Sequence, residues 1–146
     1  MPTAAKLFAA LAFAAVGWMA AEAFRPLMTE QAQWSRFVPI SAALGLICGW
    51  RVMGPRAGRG WVSAMGIGLS TSAVLLAVAL FVLSFHTMIL RALNRRYDGI
   101  LEALLGVFAV MLEYAVLMVD LRFLAVLVLG GIAGGLASEA AGRLWR

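Results

Sequence analysis

Long apolar runs alternate with short polar breaks along the whole chain. The longest run, Trp61 to Leu90, is 30 residues without Asp, Glu, Lys or Arg. About 20 apolar residues cross the hydrocarbon core of a bilayer, so this run must tilt, kink or project beyond it. Shorter runs cover Leu7 to Ala21, Phe37 to Trp50 and Phe123 to Ser138, each bounded by charge or by turn residues. A fifth, Ile100 to Val119, is apolar but carries Glu102 and Glu113. The pattern predicts helices over about 5–23, 37–53, 61–95, 100–119 and 121–142. Uninterrupted runs without dyad alternation argue against a barrel, and lipid offers no partner for the edge of an open sheet. The expected fold is all-α: one domain over 1–146, a polytopic membrane bundle of four or five transmembrane helices, the fourth either crossing or lying in the interface as an amphipathic helix.

The breaks carry their own information. Lys6, the apolar stretch after it and Ala21-Glu22-Ala23 have the form of a secretory signal; the stretch is read here as the first span. Pro39 suits the first turn of the second helix, and Arg51 can snorkel, letting that helix run to Met53. Gly54-Pro55-Arg56-Ala57-Gly58-Arg59-Gly60 is a tight loop. Leu90, Leu93 and Tyr97 continue a helical stripe into a basic tail, and Gly99 closes that element. Asp120 is placed to cap the last helix. Trp18 and Trp34 fit an interfacial aromatic belt. Gly45 and Gly49 form one GxxxG pair and Gly130, Gly131, Gly134 and Gly135 two overlapping ones, so these glycines are the expected packing positions. In the third helix the small first half should pack on other helices and the bulky second half face lipid.

Composition supports lipid as the solvent. The chain is 64% hydrophobic and 13% charged, against about 25% charge in a soluble domain. Twelve Lys and Arg oppose seven Asp and Glu, and a basic excess flanking apolar spans matches lipid headgroups rather than nucleic acid. Orientation depends on the fourth helix. Five crossings divide the basic residues five against seven and favour an outside N-terminus with a cytoplasmic C-terminus. A surface helix makes the division six against six, and the positive-inside rule then says nothing.

Three groups could carry chemistry. Glu102 and Glu113 are 11 residues apart, which returns them to nearly one helix face. Inside a membrane such carboxylates mark cation or proton paths; at an interface they are solvated. Arg51, Arg56 and Arg59 lie among glycines whose backbone N–H groups could hold an oxyanion or a lipid phosphate, although no GK[ST] is present. His86, the only histidine, and eight methionines show no metal-ligand spacing, and Cys48 is a lone thiol expected in packing. No metal, cofactor or catalytic residue is assigned, and an enzyme is the least supported class.

The segments Met1-Pro2-Thr3-Ala4-Ala5-Lys6-Leu7, Gly49-Trp50-Arg51-Val52-Met53-Gly54, Arg56-Ala57-Gly58-Arg59-Gly60, Arg95-Arg96-Tyr97-Asp98-Gly99 and Arg143-Leu144-Trp145-Arg146 together resemble the TrgA family of small alphaproteobacterial membrane proteins associated with tellurite resistance. The resemblance runs end to end. It implies a multi-pass protein of the bacterial inner membrane, without enzymatic activity, linked to oxyanion tolerance, and it carries no catalytic residue. Two other roles fit the residues: an accessory subunit of a larger membrane assembly or a homo-oligomer, packed through its glycine faces, and a small transporter using Glu102 and Glu113.

Overall fold

The computed structural model describes residues 3–27, 34–94 and 98–145, leaving aside the side chains of 3, 34 and 35. Among them are five α-helices and no strand: α1 (Thr3–Phe24), α2 (Trp34–Cys48), α3 (Trp61–Leu93), α4 (Ile100–Leu117) and α5 (Leu121–Leu144). All five are long and apolar enough to cross a bilayer. The chain is therefore an all-α bundle of the multi-pass membrane class. Tyr97 of the expected stripe, Arg95 and Arg96 of its basic tail, the Trp34 side chain and Arg146 lie outside the described residues.

Helices in lipid gain nothing by hiding apolar surface from water, so they associate where small residues let backbones meet. Two such seams build this bundle. On α1 and α2, Ala9, Phe13 and Gly17 oppose Gly49, Gly45 and Ser41, each step four residues along both helices. A Cβ on Gly45 would land on the Phe13 carbonyl, and one on Gly17 on the Ser41 carbonyl. On α3 and α5, Ala64 and Gly68 oppose Gly135 and Gly131 in the same antiparallel register. The glycines of α5 serve two neighbours at once. Gly131 and Gly135 meet α3, while Gly130 and Gly134 receive Val16 and Phe13 of α1. The helices are thus arranged α2, α1, α5, α3, α4, with α2 also touching α3.

Each end of the bundle is tied differently. At one end Phe24 stacks on Phe37 at 5.8 Å between ring centroids, and meets Tyr114 at 6.1 Å and Phe123 at 5.7 Å. Four helices converge there on one buried ring. The Thr87 and Tyr114 hydroxyls pair at 3.0 Å beside it. At the other end lie the 49–60 connection, the start of α1 and the end of α5. The Phe8 and Trp145 rings are 5.3 Å apart there, and Trp50, Trp61 and Trp145 are all exposed. Three exposed indoles at one level mark a membrane boundary. Trp18 is also exposed, on the flank of α1.

Helix ends differ in detail from the sequence pattern. α2 begins at Trp34, so Pro39 lies inside the helix rather than in its first turn; the missing N–H then leaves a carbonyl one turn back without its helical donor. Past Cys48 the helix widens into a π turn, Gly49–Met53, before Pro55 ends it. α3 stops at Leu93, and Gly99 opens α4 rather than closing α3: its carbonyl accepts the Ala103 N–H at 3.0 Å. Asp120 sits at the N-cap of α5, but its backbone carbonyl, not its side chain, makes the bond there, to the Leu124 N–H at 3.0 Å. The expected division of α3 into a small packing half and a bulky lipid-facing half does not hold. Ala64, Gly68 and Ser72 are buried but Gly66 and Ser70 are exposed, and Phe81 and Phe85 are exposed but Leu75 and Leu83 are buried, so burial follows one face along the whole helix.

The seams yield a contrast between glycines. A Cβ at Gly66 meets nothing within 4 Å, whereas one at Gly135 strikes the Ala64 carbonyl. Gly66→Ala should leave stability in mild detergent unchanged or raise it by up to about 1 kcal/mol, through helix propensity. Gly135→Ala should lower it by about 1–3 kcal/mol, because two backbones must separate. Thermal unfolding followed by circular dichroism measures both; equal effects would contradict the seam.

Candidate functional site

The basic loop is held by a residue that belongs to none of the motifs above. Glu139 continues the Gly131–Gly135 line one further step of four, so it projects toward the start of α3. There the chain has left the helix: Gly58 and Gly60 adopt φ of 94° and 111°, conformations favouring glycine. Their N–H groups turn toward α5. Gly58 N–H donates to Glu139 Oε2 at 2.6 Å and Gly60 N–H donates to Oε1 at 3.2 Å. One turn along α5, Arg143 Nε–H donates to Oε1 at 3.1 Å, and its guanidinium lies 5.0 Å from the centre of the Trp61 ring. Glu139 is 1% exposed. A carboxylate so far from water is tolerable only when its lone pairs are matched by donors; here two backbone amides and one cation supply them.

This arrangement revises the expected oxyanion site. The glycine loop does gather N–H groups around an anion, and the anion is the chain's own carboxylate. What faces outward are the guanidiniums of Arg51, Arg56 and Arg59, all exposed. Lys6 is half-buried beneath the loop, where a Cβ on Gly54 would come within 2.7 Å of its Cγ. Ala5 and Ala57 meet Gly142 from either side. The three arginines therefore share one end of the bundle, on a connection pinned to α1 and α5.

Glu102 and Glu113 do not form a joint site. Both are exposed, and about 16 Å of helix rise separates them. Glu102 turns back to accept the Asp98 N–H at 3.1 Å, a capping bond in the first turn, where a negative charge also suits the helix dipole. Glu113 lies 3.6 Å from Arg91 of α3, an exposed pair worth at most about 1 kcal/mol. His86 is half-buried in a shallow crevice with Arg36, Phe37, Leu83, Thr87 and Tyr114. Cys48 is buried and unpaired by any disulfide. An apolar cavity of about 30 Å³ lies among Gly17, Ala20, Phe37, Leu75 and Met118, well below the roughly 300 Å³ at which ligand pockets begin.

One signal in the sequence could have found Glu139. It stands four residues after Gly135 and four before Arg143, so the glycine stripe, extended by one turn, ends on a carboxylate with a basic neighbour.

No family model matches the chain, no curated protein matches it, and no solved structure matches it.

Removing the carboxylate should free the loop. Glu139→Gln keeps the size but turns amide hydrogens toward groups that can only donate. It should cost about 1–3 kcal/mol of stability, the range for leaving a buried hydrogen-bonding group without its partner. Trypsin, which cuts after Arg56 or Arg59, should cleave the folded variant faster than the parent chain. Unchanged cleavage would show that Glu139 does not hold the loop.

Proposed function

We propose that the chain is a non-enzymatic, multi-pass protein of the bacterial inner membrane, of TrgA type, that contributes to tellurite tolerance and meets oxyanions at its basic loop. The tellurite link and the bacterial setting rest on the end-to-end sequence resemblance. The observation that carries the site is the clamp on Glu139. It takes up the backbone N–H groups of Gly58 and Gly60 and leaves Arg51, Arg56 and Arg59 exposed. Guanidinium forks suit the paired oxygens of an oxyanion or of a lipid phosphate. Because the loop is pinned, the arginine backbones are ordered before a ligand arrives, which lowers the entropic cost of gathering them.

A proton- or cation-coupled transporter draws no support from Glu102 and Glu113, which are exposed, far apart and engaged with Asp98 and Arg91. An accessory-subunit role is separable by experiment. Extraction in a gentle detergent followed by native mass analysis should return a monomer or homo-oligomer; a reproducible heterologous partner would favour the subunit reading instead.

The direct test replaces all three arginines with Gln. At matched membrane levels, a strain relying on the triple variant should lose most of the tellurite resistance that the parent chain confers. Wild-type resistance in that strain would overturn the assignment.

A further inference from the structure

The directions of the helices constrain α4 more tightly than its composition does. α1 is antiparallel to α2 along one seam, and α5 is antiparallel to both α1 and α3. α1 and α3 thus run from the loop end to the aromatic end, while α2 and α5 run back. α3 delivers the chain to the aromatic end, and α5 departs from the aromatic end, with Phe123 against Phe24 and Glu139 at the loop. A segment crossing the bilayer between them would start α5 at the loop end instead. With its 18 residues α4 is long enough to cross, yet the bundle leaves it no crossing to make.

We infer that α4 does not cross the membrane: the chain makes four crossings, and α4 lies on the aromatic-end side with its outward face seated in the acyl chains of that leaflet. Three observations carry this beyond the count of directions. First, α4 divides into three sectors. Val107, Val110 and Tyr114 are buried, mainly against α3. Leu101, Leu105, Phe108, Leu112 and Val116 point away and are exposed. Glu102 and Glu113 share an edge at the border of that outward face. An apolar face with a carboxylate flank is what the acyl–water boundary accommodates, chains on one side and water on the other. Second, α4 attaches where α3 leaves the hydrocarbon. Thr87, which meets Tyr114, stands about 39 Å along the helix from Trp61, and Arg91, which meets Glu113, about 45 Å. The hydrocarbon core is about 30 Å thick, and ordinary tilts lengthen the path through it only to about 39 Å. Third, apolar exposure continues from α4 along α3 through Phe81 and Phe85, and along α5 through Leu124 and Val128, surfaces that acyl chains cover. The lipid contact of the bundle therefore extends over α4 without a new kind of partner.

Four crossings also place the start of α1 and the end of α5 on one side. Lys6, Arg51, Arg56, Arg59 and Arg143 share that side, and Arg25, Arg36, Arg91 and Arg122 the other, among the described residues, so charge alone does not orient the molecule.

Cysteine labelling tests the inference on the intact chain. In a Cys48→Ser background, single cysteines replace Arg59, Gly99 and Asp120 in turn. A membrane-impermeant maleimide is applied to vesicles of both orientations. Gly99→Cys and Asp120→Cys should react from the same side, and Arg59→Cys from the opposite side; reaction of the first two from opposite sides would show that α4 crosses. A second measurement places a bimane fluorophore on Phe108→Cys and on Glu113→Cys in liposomes containing brominated phosphatidylcholine. The 108 probe should be quenched at least two-fold more than the 113 probe. Equal quenching, or a 108 probe shielded by cross-linking to a second copy or another protein, would overturn the lipid assignment.

Discussion

Backbone-to-backbone contact between helices is the constraint on which the rest of this molecule depends. In a bilayer the surroundings of a helix are as apolar as its partner, so association has to come from packing closer than lipid can. Gly17, Gly45 and Gly49 achieve this between α1 and α2, and Gly68, Gly131 and Gly135 between α3 and α5. The same close approach fixes register. Once Gly135 lies on the Ala64 carbonyl, the position one step beyond it must face the residue just before α3. That position is Glu139, and the residues it meets are Gly58 and Gly60. A polar clamp at the loop end is thus set by an apolar seam in the membrane interior.

Thr71 and Ser138 fit the same economy of donors. Thr71 Oγ1–H donates to the Ile67 carbonyl at 2.7 Å, and Ser138 Oγ–H to that of Gly134 at 2.8 Å. Small hydroxyls bonded to their own helix keep the seams narrow, while the buried hydroxyls of Ser72, on the α3–α5 seam, and Ser84 have no hydrogen-bond partner within the protein. At the aromatic end, where the helices separate, bulk replaces closeness: Phe24 fills the space among Phe37, Tyr114 and Phe123.

Much of this was legible in the chain, for a local reason. Helix existence follows from apolar length, and the Gly45–Gly49 and Gly130–Gly135 faces follow from a spacing of four along one helix. What was not legible required knowledge of a partner. Gly17 and Ser41 stand outside the glycine pairs, and their role shows only in their position opposite α2 and α1. Glu139 reads as a charge at a helix end until its register against Gly60 is known. The glycines and arginines of the loop read as a cradle for an anion, and only the fold reveals that the cradle is filled from within. Hydropathy ranks α4 with the spanning helices; the directions of α3 and α5, which no single segment encodes, set it apart.

The account stands most directly on the state of two amide protons. Gly58 and Gly60 lie in a loop at positive φ, outside any helical ladder, and would exchange rapidly with solvent unless Glu139 binds them. Hydrogen exchange of these two amides, measured by NMR on isotopically labelled protein in lipid nanodiscs, should show protection comparable to that of the amides within α3. Exchange at the rate of an open loop would contradict the clamp and, with it, the register from which the clamp was deduced.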